Sequence, residues 1–349
     1  MREPSEASPA IKASALSSLL RRYRTPHSLR SVMELAVTAG PLAVLWLLAW
    51  AMVRQGHWWG VLFTLPAATF LVRLFMIQHD CGHGAFFRHK GVNDWIGRAI
   101  GVLTLTPYDY WRREHARHHA TSGDLDRRGS GDVETFTVAE YVALPLYRRL
   151  GYRLFRHPLV MFGLGPAYVF LLRNRLPVCE MGGGWRPWLS AMGTNLAIAV
   201  AAAGLVALGG WQAFLLVELP VILIAGTIGI WLFYVQHQFD GVIWSRSSGW
   251  TLQDASLRGA SHYHLPGILG WFTANIGVHH VHHLNSLIPF YRLSQVLRDN
   301  PELDEGRISV AGSFRGLGLV LWDEASQRLI SFRELAKRPG PPDAVLASS

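Results

Sequence analysis

Cysteine is nearly absent from this sequence, with Cys81 and Cys179 the two thiols among 349 residues. Two cysteines are too few for a disulfide framework or an iron–sulfur centre, which excludes a disulfide-stapled fold and a self-contained thiolate redox site. No cytochrome-like haem motif is present either. Charge is also sparse: Asp, Glu, Lys and Arg make up 16% of the chain against 50% hydrophobic residues. Soluble domains carry about 25% charged residues, and the mean hydropathy of +0.18 lies on the apolar side. The first thirty residues, Met1 to Arg30, lack an apolar stretch before a small-residue cleavage site and do not read as a secretory signal. Their Ser, Ala and Arg would suit a short organelle transit peptide, but two glutamates and brevity argue against one.

What the chain does have is long apolar runs. Four are long enough to cross a hydrocarbon core, which takes about 20 apolar residues. They run roughly from Glu34 to Val53, Trp58 to Ile77, Ser190 to Leu208 and Trp211 to Val235. Pro41, Pro66 and Pro220 lie inside them and are expected to kink or locally unwind the helices. Two shorter stretches, Trp95 to Pro107 and Pro158 to Leu172, read as interfacial or re-entrant helices, with helices packed inside a cytosolic domain an equal alternative. The net charge of +9 comes with arginines beside the apolar runs, a pattern of membrane anchoring rather than nucleic-acid binding. The loop between the first two runs offers only Arg54. The segment between the second and third carries Arg112, Arg113, Arg117, Arg127, Arg128, Arg148, Arg149, Arg153 and Arg156. By the positive-inside rule this segment and both termini face the cytoplasm, and the simplest setting is a bacterial inner membrane.

Sixteen histidines is a high number for this length, and their spacing is more informative than their count. His79 and His83 stand four apart in HDCGH, where the second run ends. His115, His118 and His119 form HARHH, and His279, His282 and His283 form a second HxxHH inside HHVHH. On a helix, positions i, i+3 and i+4 share a face, so each cluster is expected to project its imidazoles in one direction. Two crossings separate the second cluster from the third, which puts all three on one membrane side. Eight nitrogens exceed one tetrahedral zinc site, and all-nitrogen coordination with open positions suits two redox-active irons. His237, in YVQHQFD at the end of the fourth run, is a ninth candidate. His280 points about 100° away from its neighbours and is expected to support the ligands rather than be one. His27, His57, His89, His157, His262 and His264 read as surface or interfacial groups. Asp80, Glu114, Asp126, Asp240, Asn275 and Asn285 are candidates to accept the second N–H of a ligating ring, each weighed against a plain solvated role. Cys81 reads as a small buried filler.

These motifs resemble the membrane fatty acid desaturases with three histidine boxes, in particular the acyl-lipid ω6 (Δ12) branch. HDCGH resembles the first box, TPYDYWRREHARHHATSGDLDRRGSGD the second with its flanks, and NIGVHHVHHLNSLIPFYRL the third. YVQHQFD and LPGILGWFTANIG resemble the same family, with Asp240 where glutamate is expected in QHQFE. The likeness runs roughly from Phe70 to Leu293. It implies an all-α integral-membrane fold: four transmembrane helices and a cytoplasmic helical cap carrying a histidine-ligated di-iron site. Residues 1–30 and 301–349 are then cytoplasmic tails around a membrane desaturase domain of residues 31–300. The implied metal ligands are His79, His83, His115, His118, His119, His279, His282 and His283, with His237 as the ninth.

The implied chemistry uses two iron ions cycling between Fe2+ and Fe3+, O2 as co-substrate and an external electron donor such as a ferredoxin. It removes hydrogen from neighbouring methylenes of an acyl lipid and leaves a cis double bond, of the oleoyl to linoleoyl type. The protein's task is to position one C–C bond in an apolar tunnel. Trp271, Phe272 and Phe290 are candidates to line it, or else to anchor the membrane interface. Two alternatives remain open on the residues alone. One is a fatty acid, alkane or carotenoid hydroxylase on the same scaffold, since hydroxylation shares the initial hydrogen abstraction. The other is a non-catalytic metal carrier or transporter, although that would favour ligands near the bilayer midplane.

Overall fold

The computed structural model describes residues 13–129, 131–304 and 306–338. Four helices are long and apolar enough to cross a membrane: Ser28–Arg54, Trp58–His83, Trp185–Gly209 and Trp211–His237. Each overlaps one of the four expected runs and extends it, the first and third at both ends and the second and fourth only beyond Ile77 and Val235. Their surroundings differ. Of the most apolar window of each, 56% is buried in the second span, against 11% in the first and 6% in the third. The second span is therefore the axis of the bundle, packed against the first and fourth, while the first and third present Leu47, Val44, Leu196 and Val200 outward.

The prolines behave in three ways. Pro66 falls in the first turn of the α-helix Thr64–His83, just after the 3-10 turn Trp58–Phe63, where its missing N–H has no partner to lose. Pro220 follows a π-turn at Phe214–Glu218, so the helix absorbs the lost bond by shifting its ladder. Pro41, by contrast, sits within an uninterrupted helix, and the expected unwinding there does not occur. The stretch expected at Pro158 to Leu172 forms an irregular helix, Leu159–Arg175, whose π-turns flank Pro166. It bends by 63° from the helix Leu146–Phe155, and together the pair is apolar enough to be a broken span or a re-entrant loop. Trp95 to Pro107 contributes to the helix Lys90–Leu103. One face of that helix buries Asn93, Asp94, Gly97, Ile100 and Gly101, while Trp95 and Leu103 are exposed.

That helix approaches the next one closely at one glycine. A Cβ on Gly97 would lie 2.2 Å from the Tyr108 ring, so only glycine lets Tyr108 enter. Tyr108 opens the helix Tyr108–Thr121, and its hydroxyl reaches the Cys81 carbonyl at 2.8 Å and Asp94 at 3.1 Å. One buried phenol thus ties three helices together at the end of the second span.

The fold is not purely helical. His262–Tyr263 pairs in parallel with Arg307–Ile308, in the register His262 to Arg307 and Tyr263 to Ile308. Leu321–Asp323 pairs antiparallel with Arg328–Ile330, with Trp322 opposite Leu329. These two-stranded sheets are small additions to a helical bundle. The hairpin buries Leu321, Trp322 and Ile330 against Tyr141, Tyr152, Trp244 and Leu125, so the chain folds back over residues 306–338. At the other end, Leu16, Leu20 and Tyr23 are buried, and the Tyr23 hydroxyl donates to Asp299 at 2.8 Å.

A charge is buried inside the first two spans. Arg73 is 1% exposed, pairs with Glu34, donates to the Trp271 carbonyl and lies 4.0 Å over the Trp271 ring. Glu34 also pairs with the half-exposed Arg30 at 2.6 Å. Removing one partner of a buried pair strands the other, which costs about 3–5 kcal/mol, whereas a surface pair is worth under about 1 kcal/mol. Glu34→Ala is therefore expected to lower the thermal unfolding midpoint of the purified protein in detergent far more than Arg30→Ala. Equal shifts would show that the buried pair is not the stabilising one.

Candidate metal centre

Four pieces of chain deliver the clustered histidines. His79 and His83 occupy the last turn of the second span, which stops because Gly84 turns left-handed at φ +71°. His115, His118 and His119 lie on Tyr108–Thr121, and His279, His282 and His283 on the short helix His279–Leu284. His237 is the final residue of the fourth span's helix. The rings assemble into two groups. His79, His83, His115, His119 and His282 form one, and His118, His237, His279 and His283 form the other, each with its candidate ligand atoms within 4.8 Å of one another. The groups abut, since the His119 and His283 rings stack at 4.2 Å.

Each HxxHH motif is divided between the groups rather than pointing one way, as expected from its sequence. On an α-helix, i and i+4 differ by about 40°, whereas i+3 and i+4 differ by about 100°. His115 and His119 accordingly stay together while His118 crosses to the other group. The third cluster mirrors this, with His279 and His283 together and His282 crossing over. Each motif lends one ring to its counterpart's group.

The hydrogen bonds on the far side of the rings test whether a cation belongs between them. His118 Nδ1 faces Asp132 Oδ1 at 2.5 Å, His79 Nδ1 faces Asp80 Oδ1 at 3.2 Å, and His237 Nδ1 faces the Gly259 carbonyl at 3.3 Å. An ionised Asp132 and the Gly259 carbonyl only accept, so neutral His118 and His237 rings carry their protons on Nδ1 and leave lone pairs on Nε2. Yet His118 Nε2 lies 3.1 Å from His237 Nε2. Lone pairs aimed at each other at that distance repel. A cation among them turns the repulsion into coordination, so the donor set fits a metal. Neither group includes a carboxylate, in contrast to carboxylate-bridged di-iron bundles.

A comparison with known families assigns this arrangement. The family model for fatty acid desaturases matches residues 56–311, which contain all nine histidines. The chain belongs to the fatty acid desaturase family. It is 40% identical over 338 residues to a fatty acid desaturase of Bacillus subtilis, covering 96% of both chains. An sn-1 acyl-lipid omega-3 desaturase (ferredoxin) of Synechocystis is 30% identical over 66% of this chain and 64% of its own. An sn-1 oleoyl-lipid 12-desaturase from the same organism is 26% identical over 74% of this chain and 70% of its own.

Around the desaturase centre, the supporting residues differ from those expected. Asp80 does touch a ring, and its second oxygen accepts the Phe290 N–H at 2.7 Å, joining the first box to the helix Phe290–Asp299. The other candidates are engaged elsewhere. Glu114 pairs with Arg173 at 2.8 Å, Asp126 with Arg246 at 2.7 Å, and the Asn285 side chain accepts from Arg24 at 3.1 Å. Asp240 is exposed, and Asn275 stands in a turn at φ +53°. Asp132 was not among the candidates: it follows His118 by a loop, where no helical spacing relates the two. His280 belongs to neither group and bonds through Nε2 to the Leu303 carbonyl at 2.7 Å. His262, expected at the surface, is 6% exposed and held by Asp304 at 2.6 Å. Phe290 is 1% exposed and stacked on Phe86, which makes it core rather than an interface anchor. Cys81 is a buried filler, as expected.

Burial, then the neighbouring rings, holds His115, His119, His279, His282 and His283 well below the ordinary histidine range. Burial pushes Asp132 up, but its hydrogen bond to His118, the neighbouring His118 and His237 rings and the Gly129 N–H together outweigh this and leave the carboxyl below its usual range. In the unfolded chain the same histidines take protons at about pH 6.5, where the folded chain does not. The folded state is therefore favoured above that pH and loses stability as the pH falls below it, and protons then compete with any bound metal. Metal retained after gel filtration is expected to be constant above about pH 7 and to fall below about pH 6. Retention unchanged at lower pH would contradict this electrostatic picture. For the supporting carboxylate, Asp132→Asn is expected to weaken metal binding by about 10- to 100-fold, while Asp240→Asn leaves it unchanged. Metal titration of the two variants distinguishes them.

Proposed function

We propose that the chain is an oxygen-dependent acyl-lipid desaturase of the ω6 (Δ12) type, with two irons held by the nine histidines. His79, His83, His115, His119 and His282 would hold one iron, and His118, His237, His279 and His283 the other. The supporting observation is the division of the nine rings into two abutting all-imidazole groups, with the Nε2 lone pairs of His118 and His237 opposed in one of them. When bound, the irons supply the dioxygen chemistry that attacks an unactivated C–H bond. The overall reaction removes one hydrogen from each of two neighbouring methylenes. It reduces O2 to two waters with two electrons and two protons from outside. The electrons come from a separate carrier such as a ferredoxin, in keeping with the name of the Synechocystis omega-3 relative.

The chain's own residues have three tasks. Asp80, Asp132 and the Gly259 carbonyl orient His79, His118 and His237, and the latter two acceptors keep Nε2 of His118 and His237 free of its proton. Burial of the rings excludes water that would divert a reactive oxidant. Trp271 and Phe272, packed edge-on against Phe70 at 5.9 and 5.1 Å, offer apolar walls for an acyl chain beside the middle of the second span. The arginine-rich connection between the second and third spans favours an orientation with both termini and the metal centre in the cytoplasm, in a bacterial inner membrane. Residues 31–300 would form the membrane desaturase unit.

The ω6 assignment rests on the phrases around the histidine boxes and on the Synechocystis 12-desaturase; the omega-3 relative favours a second regiochemistry. Expression in a host that makes oleate but no polyunsaturated lipid, with a working electron donor, separates them. Gas chromatography of the fatty acid esters is expected to show linoleate rising as oleate falls. Double bonds formed only when linoleate is fed would assign the omega-3 reaction instead. A hydroxylated product would overturn the desaturase reading.

A further inference from the structure

Between the fourth span and the third histidine box, the chain carries an apolar face that no described residue covers. The segment enters at His264, whose N–H donates to the Ile308 carbonyl at 2.8 Å, and then forms the short helix Gly267–Phe272. On that helix Ile268 is 66% exposed and Leu269 47%. Left-handed backbone at Ala274 and Asn275, with φ of +54° and +53°, reverses the chain, and Ile276 is buried again.

The contacts of Arg73 fix the depth of this segment. Arg73 donates to the Trp271 carbonyl, lies 4.0 Å over its ring and pairs with Glu34, so Trp271 sits at the level of both charges. Along the first span that level is about 9 Å in from Ser28, where the helix begins. Along the second it is about 15 Å back from His83, where the helix ends. Leu29 and Val32 stand between Ser28 and Glu34 and are 64% and 53% exposed, so the first span already presents large apolar side chains outward before that level is reached. Ile268 and Leu269 precede Trp271 by less than one helical turn and share its depth to within about 5 Å.

Backbone at such a depth must meet its own hydrogen-bonding needs, because hydrocarbon offers no partner. The N–H groups of Leu269 and Gly270 donate to the Pro266 carbonyl at 2.9 and 3.3 Å, and the Asn275 N–H donates to the Gly270 carbonyl at 2.8 Å. The Thr273 hydroxyl donates to the Leu269 carbonyl, while Arg73 serves that of Trp271. Polar groups are turned inward and apolar side chains outward, which suits lipid rather than water.

We propose that residues 264–273 form a re-entrant segment seated in the hydrocarbon, with Ile268 and Leu269 against the acyl chains of the bilayer. The seating rests on the chain spanning a membrane, not on the reaction it catalyses. Acyl chains in contact with the segment lie beside Trp271 and Phe272, which gives a bilayer lipid access to those walls from the side. That consequence rests on the acyl-lipid desaturase reading.

Full-length Ile268→Cys and Leu269→Cys variants, labelled with a thiol-reactive fluorophore in phosphatidylcholine vesicles, test the seating. A Cys179→Ser background removes the exposed native thiol, and Cys81 is buried. Val32→Cys on the outward face of the first span is the lipid-exposed reference, and Ala325→Cys in the exposed hairpin turn is the water-exposed one. Nitroxides carried on the lipid acyl chains are expected to quench both segment probes as strongly as the Val32 probe and several-fold more than the Ala325 probe. A water-soluble quencher is expected to give the reverse order. Acyl-chain quenching of both segment probes at the Ala325 level overturns the proposal and leaves the apolar face to a protein partner. Quenching needs no turnover, so a failure to form desaturated lipid would remove the sideways access and leave the seating standing.

Discussion

The structure depends on bringing imidazole lone pairs together where water cannot screen them. His237 Nε2 lies 3.1 Å from His118 Nε2 and 3.0 Å from His279 Nε2, and Nδ1 of His118 and of His237 is already committed to an oxygen acceptor. Such an arrangement is unfavourable by itself. A folded chain holds it because the elements that carry the rings are fixed by other contacts, and a cation among the rings would relieve it. Much of the surrounding architecture provides those contacts.

The supports come from parts of the chain distant in sequence. Asp80 links the first box to the backbone of Phe290, beyond the third box. Tyr108 joins the first box to the helix that carries the second. His280 bonds to the Leu303 carbonyl, while Asp304 holds His262, so the segment after the third box is anchored beside it. The N-terminal segment adds a further brace through Tyr23 and Asp299. In the spans, Arg73 connects Glu34 to the Trp271 carbonyl. A charge in that setting is tolerable only because several partners meet it at once. Together these contacts hold rings from four segments at fixed distances, as coordination requires.

The membrane part is less regular than its hydropathy suggests, and the irregularity has a local cause. Pro220 and Pro166 each remove a backbone donor, and the helices answer with π-turns at Phe214–Glu218 and around Pro166. In an apolar environment an unsatisfied carbonyl is costly, so the ladder shifts register rather than breaks. Helices that remain half exposed, such as Lys90–Leu103, carry apolar residues on the outward face and glycine on the inward one.

The sequence by itself determined the four spans, the nine clustered histidines and the family, because each is a local signal. Apolar length sets a span, and i, i+4 spacing puts two rings on one helical face. Only the tertiary structure decided how those rings are shared. The step of about 100° between adjacent residues sends His118 and His282 away from their own clusters, and where they land depends on how the helices pack. The same holds for Asp132, which reaches His118 through a loop, and for Glu114 and Asp126, which arginines from other segments draw away. Spacing along one helix is written in the chain. Contacts between segments appear only when the bundle closes around them.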